Sequence, residues 1–334
     1  MVKSVCHFSV ACLCLFLFWS QSYGAEEATV AAVSDAAAIQ LLEQQAGQGE
    51  AQSQFKLGVM YQKGEGVSQD YAQAAKWYRQ AAGQGHCEAQ YNLGVLYARG
   101  QGVKKNMTEA VNWYRHAAEQ GDAIAQYNLA VMYRDGQGIA QDGAQAVHWF
   151  QKAADQDFRW AQYNLGVMYA KGQGVEKDDA RAFTLIKQAA DQGLSDAQCY
   201  LGVMYNTGQG VEQNYDEARK WYQRSADQGN DSAQLNLGLM YEKGWGVEKN
   251  TDTAIKMFSQ AAEKNNRDAQ FHLGVALAAA KDYVPAYAWW VVSAANGRQG
   301  TKDGLRVLKK LMTEEQVMAG NQKAKELWEQ LHPK

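Results

Sequence analysis

Proline is nearly missing from these 334 residues: only Pro285 and Pro333 occur, so between residues 35 and 284 nothing but glycine, asparagine and aspartate interrupts a helix. Charge of one sign is missing too. A net charge of -3 gives no general electrostatic reason to hold nucleic acid or an anionic membrane. The histidines past the N-terminal leader, His86, His116, His148, His272 and His332, show no His-Glu-x-x-His or Cys/His spacing. No metal and no cofactor is therefore expected. Neither a Gly-x-Ser-x-Gly nor a P-loop occurs, which removes the nucleophile elbow and the phosphate-cradling loop that those spacings build.

What is present is repetition. The stretch YNLGVLYARGQGV from Tyr91 returns as YNLAVMYRDGQGI from Tyr127, YNLGVMYAKGQGV from Tyr163, CYLGVMYNTGQGV from Cys199 and LNLGLMYEKGWGV from Leu235, preceded by FKLGVMYQKGEGV from Phe55, at a step of 36 residues. Such a period means stacked structural units, and one array absorbs the whole length. After each Gly-x-Gly comes a second helical pattern. In the second unit its apolar residues Ala110, Trp113, Tyr114, Ala117 and Ala118 recur at helical spacing and bury one face.

The punctuation is readable residue by residue. Gly64, Gly100, Gly136, Gly172, Gly208 and Gly244 stop each first helix where positive φ is cheapest for glycine. The second helix opens at Asp70, Asn106, Asp142, Asp178, Asn214 and Asn250, all N-cap types, and Gln73, Glu109, Gln145 and Glu217 stand where a capping box would place them. It closes at Gly85, Gly121, Gly193 and Gly229, with Asp157 and Asn265 in the other two units, the non-glycine types that best tolerate a left-handed backbone. The Gln series at 54, 90, 126, 162, 198, 234 and 270 reads as structural, an amide serving the boundary between helices.

The ends differ from the middle. Met1 to Gly24 has one early positive charge, Lys3, an apolar run to Trp19 and the small-residue stretch Ser22-Tyr23-Gly24, the plan of a secretory signal. The run falls short of the roughly 20 residues of a span and carries His7 and Ser9, so we expect cleavage and export, with no stable membrane span afterwards. Near the other end the Gly-x-Gly loop shortens after Gly274. Gly297 to Gly304 reads as a hinge, Leu305 to Met312 as a short helix, and Thr313 to Gln316 as a capping box opening a last amphipathic helix. The expected organisation is a signal peptide over 1–24, a linker over 25–34, a half-repeat cap over 35–50, six full repeats over 51–266, a shortened seventh over 267–297 and capping helices over 298–334.

The unit, written for the second copy as Ala89, Leu93, Gly94, Tyr97, Gly100, Gly102, Val103, Asn106, Ala110, Trp113, Tyr114, Ala117, Ala118 and Gly121, resembles the Sel-1-like repeat family, relatives of the tetratricopeptide repeats. The match covers about residues 35 to 297. Departures are Ser53 for the first Ala, Ala130 for the equivalent of Gly94, and Phe183-Thr184-Leu185-Ile186 where the Trp-Tyr pair falls. The resemblance implies an all-α fold, an α/α superhelical solenoid of about seven helix-pair repeats with terminal caps, used as a non-enzymatic scaffold for protein or peptide partners. It also implies envelope or host-interaction roles among secreted bacterial members, and a β-lactamase-like hydrolase has to be kept as an alternative of another class. We expect a periplasmic scaffold, with a secreted or surface-exposed host-interaction factor as the other reading.

By analogy with the tetratricopeptide relatives, one side of the first helix lines a concave groove. The candidate partner-binding residues on it are Phe55, Tyr91, Tyr127, Tyr163 and Leu235 on one rail, Val95, Val131 and Val167 on a second, and Arg99, Lys171 and Lys243 at the edge. The competing reading is that the rails pack one repeat on the next and are mostly covered. Of five cysteines, Cys6, Cys12 and Cys14 leave with the signal. Cys87 and Cys199 lie three repeats apart, at ~10 Å per stacked pair well beyond the ~7 Å a disulfide tolerates, so no disulfide is expected.

Overall fold

The computed structural model describes residues 37–333; the expected signal peptide and linker lie outside the described residues. Every regular element within them is helical. A first helix, α1, occupies residues 37–47. It is followed by α2 (Ala51–Lys63), α3 (Tyr71–Gly83), α4 (Cys87–Arg99), α5 (Met107–Glu119), α6 (Ala123–Asp135), α7 (Gly143–Ala154) and α8 (Arg159–Lys171). Then come α9 (Asp179–Asp191), α10 (Ser195–Thr207), α11 (Tyr215–Asp227), α12 (Asp231–Lys243) and α13 (Thr251–Ala262). The series ends with α14 (Arg267–Ala279), α15 (Tyr283–Ala295), α16 (Thr301–Lys309) and α17 (Glu314–Leu331). This is a solenoid-like helical repeat fold without strands among the described residues. The described residues form two compact units, one of residues 37–168 with 172–176 and one of residues 169–171 with 177–333.

In the first unit each helix from α2 to α6 packs on the next, and the contact is made close by glycine. A Cβ on Gly94 of α4 would come within 2.8 Å of the Tyr114 ring of α5, so only a hydrogen there lets the ring lie on the helix backbone. Tyr78, at the matching place in α3, is completely buried against Gly58. Burying such a side chain contributes about 1.5–3 kcal/mol. The second unit repeats the device with Tyr222 on Gly202 and Phe258 on Gly238. Where the Trp-Tyr pair is replaced, Leu185 and Ile186 are buried and Phe183 turns edge-on to Tyr205 with centroids 5.4 Å apart, so the position stays apolar.

The connecting loop has two glycines for two reasons. Gly100 takes φ 69° and closes α4 by donating its N–H to Leu96 O at 2.8 Å. Gly102 is also at positive φ, but its stronger constraint is contact: a Cβ there would lie 2.1 Å from the Tyr71 carbonyl at the start of α3. The second glycine therefore lets each loop touch the second helix of the preceding repeat.

One expectation about this loop is corrected. Asn106 does cap α5, accepting from the N–H groups of Thr108 and Glu109 at 3.1 and 3.2 Å. The reciprocal half of a capping box is not made at Gln73, Glu109, Gln145 or Glu217, because the N-cap N–H is already spent. Asp70, Asn106, Asp142 and Asn214 donate it to the carbonyls of Tyr61, Tyr97, Tyr133 and Tyr205 on the preceding helix. Thr313 and Gln316, at the start of α17, form the full box.

The glutamine series ties three helices per repeat. Gln90 donates to Ala82 O at 3.1 Å and accepts from Gln120 at 2.6 Å; Gln54 and Gln126 do the same with Ala46 and Gln84, and with Ala118 and Gln156. In the second unit Gln198 follows suit with Ala190 and Gln228. At Gln234 the ladder breaks: the residue that would donate is Lys264, which bonds Gly229 O at 2.6 Å instead, and the Gln234 side-chain oxygen is buried without a partner. Left-handed backbone at Asp157 (φ 58°) and Asn265 (φ 66°) turns the two repeats that lack the closing glycine.

At the end of the second unit α15 is covered on one side by α14 and on the other by α16 and α17. The expected hinge over 297–304 is shorter than read, since α16 already begins at Thr301, whose side chain is fully buried. Gly304 is no breaker. It lies inside α16 under the Trp290 ring, 3.1 Å from where its Cβ would be.

Candidate partner-binding face

The face in question is the side of the first helices that carries the aromatic and valine rows. In the first unit Phe55, Tyr91, Tyr127 and Tyr163 form one half-buried row and Val95, Val131 and Val167 a second, also half-buried, while Arg99 is exposed. In the second unit Leu235 is half-buried and Lys171 and Lys243 are exposed, and Cys199, which continues the aromatic row, is buried. Burial pushes the Cys199 thiol up to about 12, so it behaves as a small hydrophobe rather than a nucleophile.

Half-burial has a geometric cause. Phe55 and Tyr127 each lean one side on the second helix of their own repeat and another on the residue just before the next first helix, and Tyr91 leans on the second helix of its own. Tyr91 meets Tyr114 with centroids 5.8 Å apart, and Tyr127 meets both Phe150 (5.7 Å) and Phe158 (5.4 Å). Phe55 stacks on His86 at 4.6 Å. Burial, and after it the charge of Asp122, raises the Tyr91 hydroxyl above its ordinary value, so it remains a neutral donor and acceptor.

The asparagines beside the rows are engaged within the protein. Asn128 bonds the Tyr91 hydroxyl, Asn164 accepts from Arg134 at 2.7 Å and donates to Trp160 O at 2.8 Å, and Asn236 reaches the Cys199 sulfur at 4.0 Å. Arg134 is also held by Asp135 at 2.7 Å, which raises the guanidinium and lowers the carboxyl. At the edge of the second unit Lys243 pairs with Glu242 at 3.0 Å.

One side chain on this face was not singled out from the sequence. Trp160, three residues before Tyr163 on α8, is 38% exposed, the open end of the aromatic row in the first unit. The available signal was a tryptophan at a position where other repeats carry Gln52, Glu88, Ile124, Asp196, Ser232 and Asp268.

For the hydrolase alternative, a Ser-x-x-Lys spacing does occur, at Ser53 to Lys56. Ser53 is 3% exposed and its hydroxyl donates to Glu50 at 2.8 Å and to Gln45 at 3.2 Å, while Lys56 is exposed; no hydrogen bond joins the pair. Among the described residues no three His, Cys, Asp or Glu side chains gather as metal ligands, and no helix is long and apolar enough to cross a membrane. Cys87 and Cys199 are buried thiols outside any disulfide.

Comparison with known proteins agrees with this geometry. The Sel1 repeat matches residues 51–86, 87–122, 123–158, 161–194, 195–230 and 231–266. A protective antigen present in uropathogenic Escherichia coli strains, displaying an SLR fold, is 36% identical with a TM-score of 0.75, covering 88% of this chain and 63% of its own. This chain thus spans less than two thirds of that antigen's length. A Sel1 repeat protein from Oxalobacter formigenes is 31% identical with a TM-score of 0.67, covering 83% of this chain and 81% of its own. No curated protein matches the chain by sequence. Sel1 repeat proteins as a group are non-catalytic scaffolds that mediate protein–protein interaction. With six copies of the repeat, the same glycine-on-ring packing in both units and two solved structures above 30% identity, this chain belongs to the Sel1 repeat family.

Proposed function

We propose that this protein is an exported, non-enzymatic scaffold that binds a protein or peptide partner along the first-helix face of its first unit, centred on Tyr127, Tyr163 and Trp160. The observation that carries this reading is the exposure of Trp160 at 38% beside a row of half-open tyrosines, since exposed aromatics next to packed ones supply area at low entropic cost. Rings held on one side by Tyr114, Phe150 or Phe158 are already ordered before a partner arrives.

The experiment is an affinity purification of tagged mature protein from an envelope fraction, followed by measured affinities for the captured partner. Trp160→Ala is expected to weaken binding about tenfold or more with the melting temperature unchanged, the behaviour of a hot spot at the edge of a fold. Unchanged affinity for both Trp160→Ala and Tyr127→Ala would end the proposal. Export is tested by N-terminal sequencing of the secreted or periplasmic form, with cleavage after Gly24 as the expected result.

The likeness to a protective antigen of uropathogenic strains supports a second reading, a surface-exposed factor meeting host protein. Surface labelling of intact cells separates the two: labelled protein supports the host-facing role, and labelling only after outer-membrane permeabilisation supports the periplasmic one.

A further inference from the structure

Away from the first-helix face, the first unit holds a pocket of about 490 Å³ between α3, α4 and the loop that leads into α5. Tyr97 and Val103 wall it, Arg79, Lys104 and Lys105 supply its charge, and Glu109 is the one carboxylate in its lining. None of the three cations has a salt bridge. Arg79 donates to the Tyr97 hydroxyl at 2.9 Å, which leaves the hydroxyl hydrogen of Tyr97 free to donate in turn.

Arg115 repeats that contact one unit on, donating to the Tyr133 hydroxyl at 3.4 Å, but the charges around it differ from repeat to repeat. Where Lys105 stands, Gln69 and Gln141 return their amides to the Gln62 and Arg134 carbonyls at 2.9 and 2.8 Å; no such bond ties Lys105. In the second unit Lys177, one counterpart of Lys105, pairs with Asp179 at 3.0 Å, and Lys187, a counterpart of Arg79, pairs with Asp191 at 2.6 Å; Lys249, another counterpart of Lys105, has no acid partner but no second lysine before it, since Glu248 stands there. Lys104 is matched elsewhere by Ser68, Ala140, Glu176, Glu212 and Glu248. Three exposed cations that no acid pairs with, and one carboxylate, therefore line a single pocket at a repeat boundary.

We propose that this pocket is a binding site for a small dianion, a phosphate monoester or a dicarboxylate. Three cations against one carboxylate leave two positive charges to neutralise. Lys104 and Lys105 supply point charges, Arg79 a planar fork and Tyr97 a neutral donor, which is the donor set an oxyanion needs. The volume exceeds that of a bare oxyanion, so the rest of the ligand lies along Val103. The site is independent of the partner-binding face.

The test titrates the full-length mature protein by calorimetry with inorganic phosphate and, separately, with succinate, at low ionic strength against a chloride control. Expected is saturable binding of one anion per chain, weakened about tenfold or more by the double variant Lys104→Gln with Lys105→Gln. A control pair on the second unit, Lys256→Gln with Lys310→Gln, is expected to change it by less than about twofold, and Trp160→Ala not at all. Tighter binding of phosphate identifies the phosphoester class, and tighter binding of succinate the dicarboxylate class. Absence of saturable binding by either anion, or equal loss in the two lysine pairs, overturns the proposal. Circular dichroism melting confirms that each variant is folded.

Discussion

The second repeat, α4 with α5, and the last helix pair, α14 with α15, begin alike and finish differently. Both lay a ring on a first-helix glycine, Tyr114 on Gly94 and Trp290 on Gly274. After that the second repeat takes seven residues, with two glycines, to reach its capped second helix, whereas the last pair turns in three, Ala280 to Asp282, with Lys281 in the left-handed region at φ 64°. The outer side of α5 is polar, with Asn112, His116 and Glu119 exposed. α15 has no charged residue at all, and its outer side, Ala288 and Val292, is buried on Ala324 and Leu327 of α17. A long loop is what lets one repeat touch the one before it. In the last pair that loop is cut to three residues, and α17, which belongs to no repeat, covers the outer side of α15.

The comparison breaks most severely if the cover is removed. Deleting residues 313–334 would expose Tyr287, Ala288, Trp289 and Val292, and several kcal/mol of burial would go with them. The expected outcome is a second unit that binds a hydrophobic dye and melts early or aggregates, read by fluorescence and light scattering. Retention of the wild-type melting temperature would mean that α17 is decoration.

The two loops give the next largest contrast. Gly102→Val places a branched side chain at φ 67° against the Tyr71 carbonyl, and we expect a loss of about 2–4 kcal/mol in urea unfolding. Lys281→Gly, in the three-residue loop, is expected to gain about 0.5–1 kcal/mol by relieving the same backbone conformation.

The glutamine ladder sharpens the comparison further. Gln90→Leu leaves the Ala82 carbonyl and the Gln120 amide without their partner and should cost about 1–3 kcal/mol. Lys264→Gln restores the donor that Gln234 lacks and should stabilise the second unit by about 0.5–1 kcal/mol.

The smallest effect is set by pH. Asp122 is 8% exposed, and desolvation, against the hydrogen bonds from Ala125 and Ile124, raises its carboxyl above the ordinary range. A carboxyl raised on folding favours the folded state most below the unfolded pKa of about 4, and that contribution is lost as pH rises through the folded value. Asp122→Asn should therefore melt higher than the wild type near neutral pH, by no more than about 1 kcal/mol in stability, with the gap closing toward about pH 3. A gap that widens in acid would reverse the assignment.

Much of the fold was legible in the chain because its signals are local. A 36-residue period, apolar residues at helical spacing and glycine or asparagine at each reversal depend on neighbours a few residues away. The capping boxes failed as a reading because the carbonyl that captures the Asn106 N–H, on Tyr97, arrives from the preceding helix through the loop's own fold. Gly304 failed similarly: a glycine in sequence says that no Cβ fits, but whether a turn or the Trp290 ring forbids it is settled by packing. At the candidate face the rows of Tyr91, Tyr127 and Tyr163 were visible as a pattern, and their half-burial was not, since that depends on Tyr114, Phe150 and Phe158 approaching from other helices. The sequence by itself determined the repeat, its helices and their punctuation, because backbone preference and side-chain period act within one helix. Tertiary structure alone decided which side of each ring stays open and which lysines go unpaired, because exposure and charge pairing belong to atoms brought together from repeats dozens of residues apart.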